Sequence, residues 1–153
     1  MTGDADQVSG GRFEGIEHRF PVRVYFEDTD LSGVVYHANY LRFIERARSD
    51  MLRVAGIDQR AAFEAGEGAY AVADLHVRYL APARLDDDLV VVSRLTQVRA
   101  ASVVIHQRVS RGGETLAIAD VTAALVSSSG RARRQPAAWV AIFRRLLDQK
   151  EFQ

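Results

Sequence analysis

Between residues 36 and 56 the apolar side chains recur at spacings of four and three: Tyr40, Ile44, Ala47, Met51 and Val54. Such a stripe lies along one side of an α-helix, with Arg42, Glu45, Arg46, Ser49 and Arg53 on the other. Gly56 is the residue type that ends a helix. Elsewhere the dominant period is two. "RFPVRVYFED", residues 19–28, alternates Phe20, Val22, Val24 and Phe26 against Arg19, Arg23 and Tyr25, which predicts a first strand. Beyond the helix, "IDQRAAFEAGEGAY" has room for a short helix, and four strand-like runs follow at about 70–80, 88–98, 101–111 and 114–127. "LDDD" and "RGGE" supply turns between them. The run 88–98 is apolar on both faces, as a central strand would be. Ala117, Ala119, Ala123 and Ala124 leave room for something bulky across the last strand. Pro136 opens a C-terminal helix with Trp139, Val140, Phe143, Leu146 and Leu147 on its apolar side. One strand, one long helix and four strands make an α+β fold, an antiparallel sheet wrapped around a single central helix, because each has one apolar face to bury.

The 153 residues form one domain, predicted over 18–153, after a polar, glycine-rich tail over 1–17. Lys plus Arg and Asp plus Glu both number 20, so no net field draws the chain to nucleic acid or to a membrane surface. There is no cysteine, which excludes disulfides, thiol catalysis and cysteine-held metal and fits a cytoplasmic protein. No apolar run is long enough to span a bilayer.

The chemistry-bearing residues gather in "EDTDLSGVVYHANYLRF", residues 27–43. Asp30 and Gly33 occupy the first and fourth positions of a type I turn. Asp28 reads as a structural residue that orients this turn through local hydrogen bonds. Glu45 and Arg48, further along the helix, read as a solvated face with local ion pairing. Asp28, Asp30 and His37 are residue types that suit a metal, but His18, His76 and His106 show no ligand spacing, and no metal site is expected.

"VYFEDTDLSGVVYHANYLRFIERARSDML" resembles the opening motif of hotdog-fold acyl-CoA thioesterases of the 4-hydroxybenzoyl-CoA thioesterase group, most closely the Tol-Pal-associated branch. "VRYLAPARLDDDLVV" resembles the strand, turn and strand that follow in those proteins, and the likeness covers about residues 18–136. It implies a hotdog fold, homodimers or dimers of dimers, and active sites at the dimer interface. The substrate would be an acyl-CoA, hydrolysed to free acid and CoA without metal or cofactor. Matched residue by residue, Asp30 is the catalytic carboxylate, either general base or nucleophile.

Thioester hydrolysis also needs donors for the oxygen that becomes anionic. Tyr36 and His37 begin the helix, where the first amides lack intrahelical acceptors; the resemblance places the donor at the His37 N–H. The His37 imidazole could share a proton with Asp30 or simply pack. For the CoA phosphates, "SSSGRARRQP" concentrates Arg131, Arg133 and Arg134, and Arg99 matches a basic position of the family. Ala101 stands where a second basic residue is expected. A dehydratase would need a different acid–histidine pattern. The non-enzymatic alternative is a module that binds acyl chains or an acyl carrier protein.

Overall fold

The structure, a computed structural model, describes residues 5–147; residues 1–4 of the expected tail and 148–153 of the expected domain lie outside them. The strands are β1 (Arg12–Glu14), β2 (Glu17–Arg23), β3 (Ala69–Tyr79), β4 (Asp88–Val98), β5 (Ser102–Arg111) and β6 (Glu114–Val126). They form one antiparallel sheet in the order β1-β2-β4-β5-β6-β3. Helices α1 (His37–Val54), α2 (Gln59–Glu64) and α3 (Ala137–Leu146) complete the chain. The α+β architecture read from the element order is the one observed.

Helix α1 lies on the inner face of the sheet. Tyr40, Phe43, Ile44 and Ala47 pack against Leu89, Val91, Val109, Ala117, Ala119 and Val121. Phe43 and Ala47 are fully buried, and burial of a side chain the size of Phe43 contributes roughly 1.5–3 kcal/mol. The alanines of β6 matter here: Ala117 and Ala119 let Tyr40 and Ile44 sit close, with no water-sized space left between them. The helix ends in a Schellman motif, in which Gly56 N–H donates to the Arg53 carbonyl and Ile57 N–H to that of Leu52. Leu52 and Ile57 then share a second core cluster with Met51, Leu95 and Phe143 of α3. Trp139 packs on Tyr70, ring centroids 5.9 Å apart.

Three expectations need correction. The first strand stops at Arg23 rather than running to 28, and Phe26 is 80% exposed. There the chain leaves the sheet for a 3₁₀ turn, Phe26–Asp28, so the alternation runs on through residues that are no longer paired. Val54, the last member of the helical stripe, is exposed at the final residue of α1. The segment read as a tail is tied down from Gly10 onward: β1 pairs with β2, and Gly11 N–H donates to the Asp50 carboxylate at 2.8 Å. Its glycines serve close approach, because a Cβ on Gly10 would lie 2.4 Å from Asp50 Oδ1 and one on Gly11 2.3 Å from the Arg19 carbonyl oxygen.

Candidate active site

The loop joining β2 to α1 folds back on itself. Thr29 and Val35 form an antiparallel bridge, Asp30 N–H donates to the Val34 carbonyl, and Gly33 N–H donates to the Asp30 carbonyl. The last bond closes the expected turn, and Gly33 sits at φ +82°, which a side chain would strain. Asp28 anchors the base of the loop as expected. Its buried carboxylate accepts from Tyr25 N–H at 2.8 Å, while its carbonyl accepts from Tyr36 N–H and from the Asn39 side chain. These bonds hold the Asp30 turn beside the start of α1.

Asp30 itself is exposed, and its Oδ1 accepts from both the Oγ and the N–H of Ser32. Those bonds, the Ser32 hydroxyl first, hold its carboxyl below the ordinary carboxylate range, so Asp30 is ionised at neutral pH. An ionised carboxylate on a short loop next to a helix N-terminus can accept a proton from water or attack a carbonyl.

Tyr36 requires a correction. It is the N-cap of α1, and its N–H is occupied by the Asp28 carbonyl at 3.0 Å, so it offers no donor to a substrate. Among the described residues no group accepts from the N–H of His37 or of Ala38, and these two amides carry the positive end of an 18-residue helix. Ala38 was not singled out from sequence, although the N-cap bond to Asp28 shifts the free pair by one residue. The His37 ring is exposed, 4.5 Å from the Tyr36 ring and 6.1 Å from that of Tyr79, whose hydroxyl donates to the His37 carbonyl. No hydrogen bond joins His37 to Asp30 among the described residues.

The arginines gather elsewhere. Arg99 caps the β4–β5 hairpin, with its Nη2 donating to Gln97 Oε1. Arg133 Nη1 donates to the Gly66 carbonyl at 2.6 Å, and Arg131 and Arg134 are exposed in the same loop. Buried Gln135 ties the two segments together by donating to the Arg99 carbonyl. This basic end lies at Leu125, whereas the helix start lies beside Tyr79, the partner of Ala117. Eight residues of β6 separate Ala117 from Leu125, about 26 Å at the rise of a strand. Within one chain, Asp30 and the arginines therefore stand at opposite ends of the sheet.

Glu45 lies on a solvated face as expected, but Arg48 does not, and among the described residues no ion pair joins the two. Arg48 turns inward and donates to Gln107 Oε1 at 3.1 Å. Gln107 is fully buried, and its Nε2 donates to the Ile44 carbonyl and to Ser93 Oγ.

Known proteins share this architecture and sequence. The "Acyl-CoA thioester hydrolase YbgC" of Escherichia coli O6:H1 is 49% identical over 98 residues, 64% of this chain and 72% of that protein. The "Acyl-CoA thioesterase YbgC" of Haemophilus influenzae is 44% identical over 107 residues, 70% of this chain and 79% of that protein. The crystal structure of a probable thioesterase from Bartonella henselae superposes with a TM-score of 0.75 at 36% identity, covering 78% of this chain and 99% of that one. The family model of the thioesterase-like superfamily matches residues 24–145, from the end of β2 into α3, and the chain belongs to that superfamily.

Proposed function

We propose that the protein hydrolyses acyl-CoA thioesters, with Asp30 as the catalytic carboxylate and the amides at the start of α1 as the oxyanion site. The observation that carries this reading is the clamp of Asp28 on Tyr36, which holds an ionised, exposed Asp30 beside two unclaimed helix amides. The relatives named above act on acyl-CoA by their names, which supports the same substrate class here. Asp30 either draws a proton from an attacking water or attacks the carbonyl itself to give a mixed anhydride, which water then cleaves to release the acid and restore the carboxylate. In both routes the carbonyl oxygen gains charge opposite the His37 and Ala38 N–H groups, and CoA leaves as the thiolate. Removing such a donor typically costs ~10²–10³ in rate.

The working unit is a two-fold dimer. β3 is an eleven-residue edge strand, and Val72, Leu75 and Tyr79 on its inner face are 49%, 39% and 46% exposed. An edge this long and apolar pairs readily with another strand. Antiparallel pairing of two β3 edges about a two-fold axis brings one protomer's Tyr70 end against its partner's Tyr79 end. The basic end bearing Arg99, Arg131, Arg133 and Arg134 then approaches the partner's Asp30. That would reconcile the separation of about 26 Å within one chain with a single CoA ester bridging both.

The test measures thiol release from short, long and aromatic acyl-CoAs with a disulfide reagent, against little background because the chain has no cysteine. Turnover that falls ~10²-fold or more in Asp30→Asn supports the assignment. Equal turnover in both proteins would remove Asp30 from the chemistry. Acyl binding without turnover would favour a carrier or acyl-carrier-protein binding module, in which Asp30 is only the turn residue that its bonds to Ser32 make it.

A further inference from the structure

Between α1 and the inner face of β3 lie two adjoining spaces that begin one turn beyond the helix start and that the catalytic residues do not line. Leu41, Ile44, Val72 and Leu75 line the first part, about 210 Å³. Leu52, Tyr70, Val103, Ile105 and Ala123 line the deeper part, about 220 Å³, and Glu45, Arg48 and Val72 border both. Among the described residues Arg48 is the one cation that lines the deeper part, and Arg42 borders the first.

A guanidinium has five N–H donors. Among the described residues Arg48 donates to one acceptor, the neutral Gln107 Oε1, and pairs with no carboxylate. Ile44 and Ser93 hold Gln107 through its Nε2, and Arg48 spends one donor on its buried Oε1 and keeps the others. Glu45, one turn earlier, is exposed and makes no ion pair with Arg48. Burial accordingly pulls the Arg48 guanidinium below its ordinary pKa, an effect Glu45 opposes from a distance. The walls mix Leu52, Val103 and Ile105 with Ser49 and Gln59, and a half-buried charge there is costly unless an anion completes it.

We propose that Arg48 closes the far end of the acyl slot and selects acyl groups that end in a carboxylate. This rests on the acyl-CoA reading above. Eleven residues of helix separate His37 from Arg48, about 16 Å of axis, and the arginine stem leans back toward the N-terminus by a few ångströms. An extended chain advances ~1.2 Å per bond, so a thioester at the helix start reaches Arg48 with roughly eight to twelve carbons. A single hydroxylated ring is too short.

The probes are non-hydrolysable alkyl-CoA thioethers of about eight to twelve carbons, the range set by the helix rise, ending in either a methyl or a carboxylate. They are titrated calorimetrically into the full-length protein, Arg48→Met and Arg48→Lys, with circular dichroism to confirm folding. Wild type should bind the carboxylate-ended member ~10–100-fold more tightly, as a charge-assisted hydrogen bond implies. Arg48→Met should lose that preference and Arg48→Lys keep part of it. With matched thioesters the loss should appear in KM for the carboxylate-ended substrate. The proposal is overturned if wild type binds both ends equally, if neither thioether binds, or if Arg48→Met keeps the wild-type preference. Should Arg48→Met fail to fold, the wild-type comparison and Arg48→Lys decide. Discrimination by the thioethers without turnover of any acyl-CoA would sink the hydrolase reading and leave this one standing.

Discussion

Asp50→Ala should destabilise the protein by about 2–4 kcal/mol. It leaves the fully buried His18 donor without a partner, at about 1–3 kcal/mol, and removes a half-buried Gly11 bond worth about 1 kcal/mol. Asp50 is 5% exposed on the side of α1 that faces the N-terminal hairpin. Its Oδ2 accepts from Gly11 N–H and from His18 Nε2–H, both at 2.8 Å, and so joins α1 to segments 39 and 32 residues away. His18 is fully buried, and its Nδ1 has no partner, so the ring has no second bond to fall back on. The loss would be a large share of the ~5–15 kcal/mol typical of a whole domain.

Urea unfolding followed by Trp139 fluorescence measures this loss, and a change under ~1 kcal/mol would show that the pair does not hold the hairpin. A second signature is pH. Burial outweighs Asp50 and lowers the His18 pKa below its ordinary 6.5, so the unfolded chain takes up the proton first. Stability is therefore full above pH 6.5 and falls as the pH drops through that value, levelling once it passes below the lowered folded value. Removing Asp50 removes what favours the protonated ring, so the acid loss should extend to lower pH. An unchanged pH profile in Asp50→Ala would count against the coupling.

Ser32→Ala removes the largest cause of the lowered Asp30 pKa, so the acid limb of kcat/KM should move up in pH while the plateau stays within a few-fold. A pH–rate profile checks this, and an unmoved limb would dissociate Asp30 from the rate. Leu75→Lys places a charge on the inner face of the open β3 edge and should yield a monomer without turnover. Sedimentation velocity and the thiol assay read both, and an active dimer would refute β3 pairing.

The helix, its length and its apolar face were legible in the sequence because a period of 3.6 over five turns is a local property of the chain. The same holds for the Asp30–Gly33 turn and the two-residue "GG" hairpin, where a few adjacent residues decide the backbone. Strand one was read too long because alternation persists after pairing stops, and only a neighbouring strand tells the two apart. The glycines near residue 10 look mobile by composition, but they serve a close approach to Asp50, forty residues away.

What the sequence alone determined is the inventory: one helix to be covered, strands to cover it, and a carboxylate placed just before the helix begins. Tertiary structure decided which backbone amides remain unclaimed, moving the free pair from Tyr36 and His37 to His37 and Ala38 through one bond to Asp28. It also turned Arg48 inward onto Gln107, 59 residues away, and set the basic residues at the far end of the sheet from Asp30. Each of these outcomes depends on which distant group fills a side chain's or an amide's surroundings, and local spacing carries no record of that.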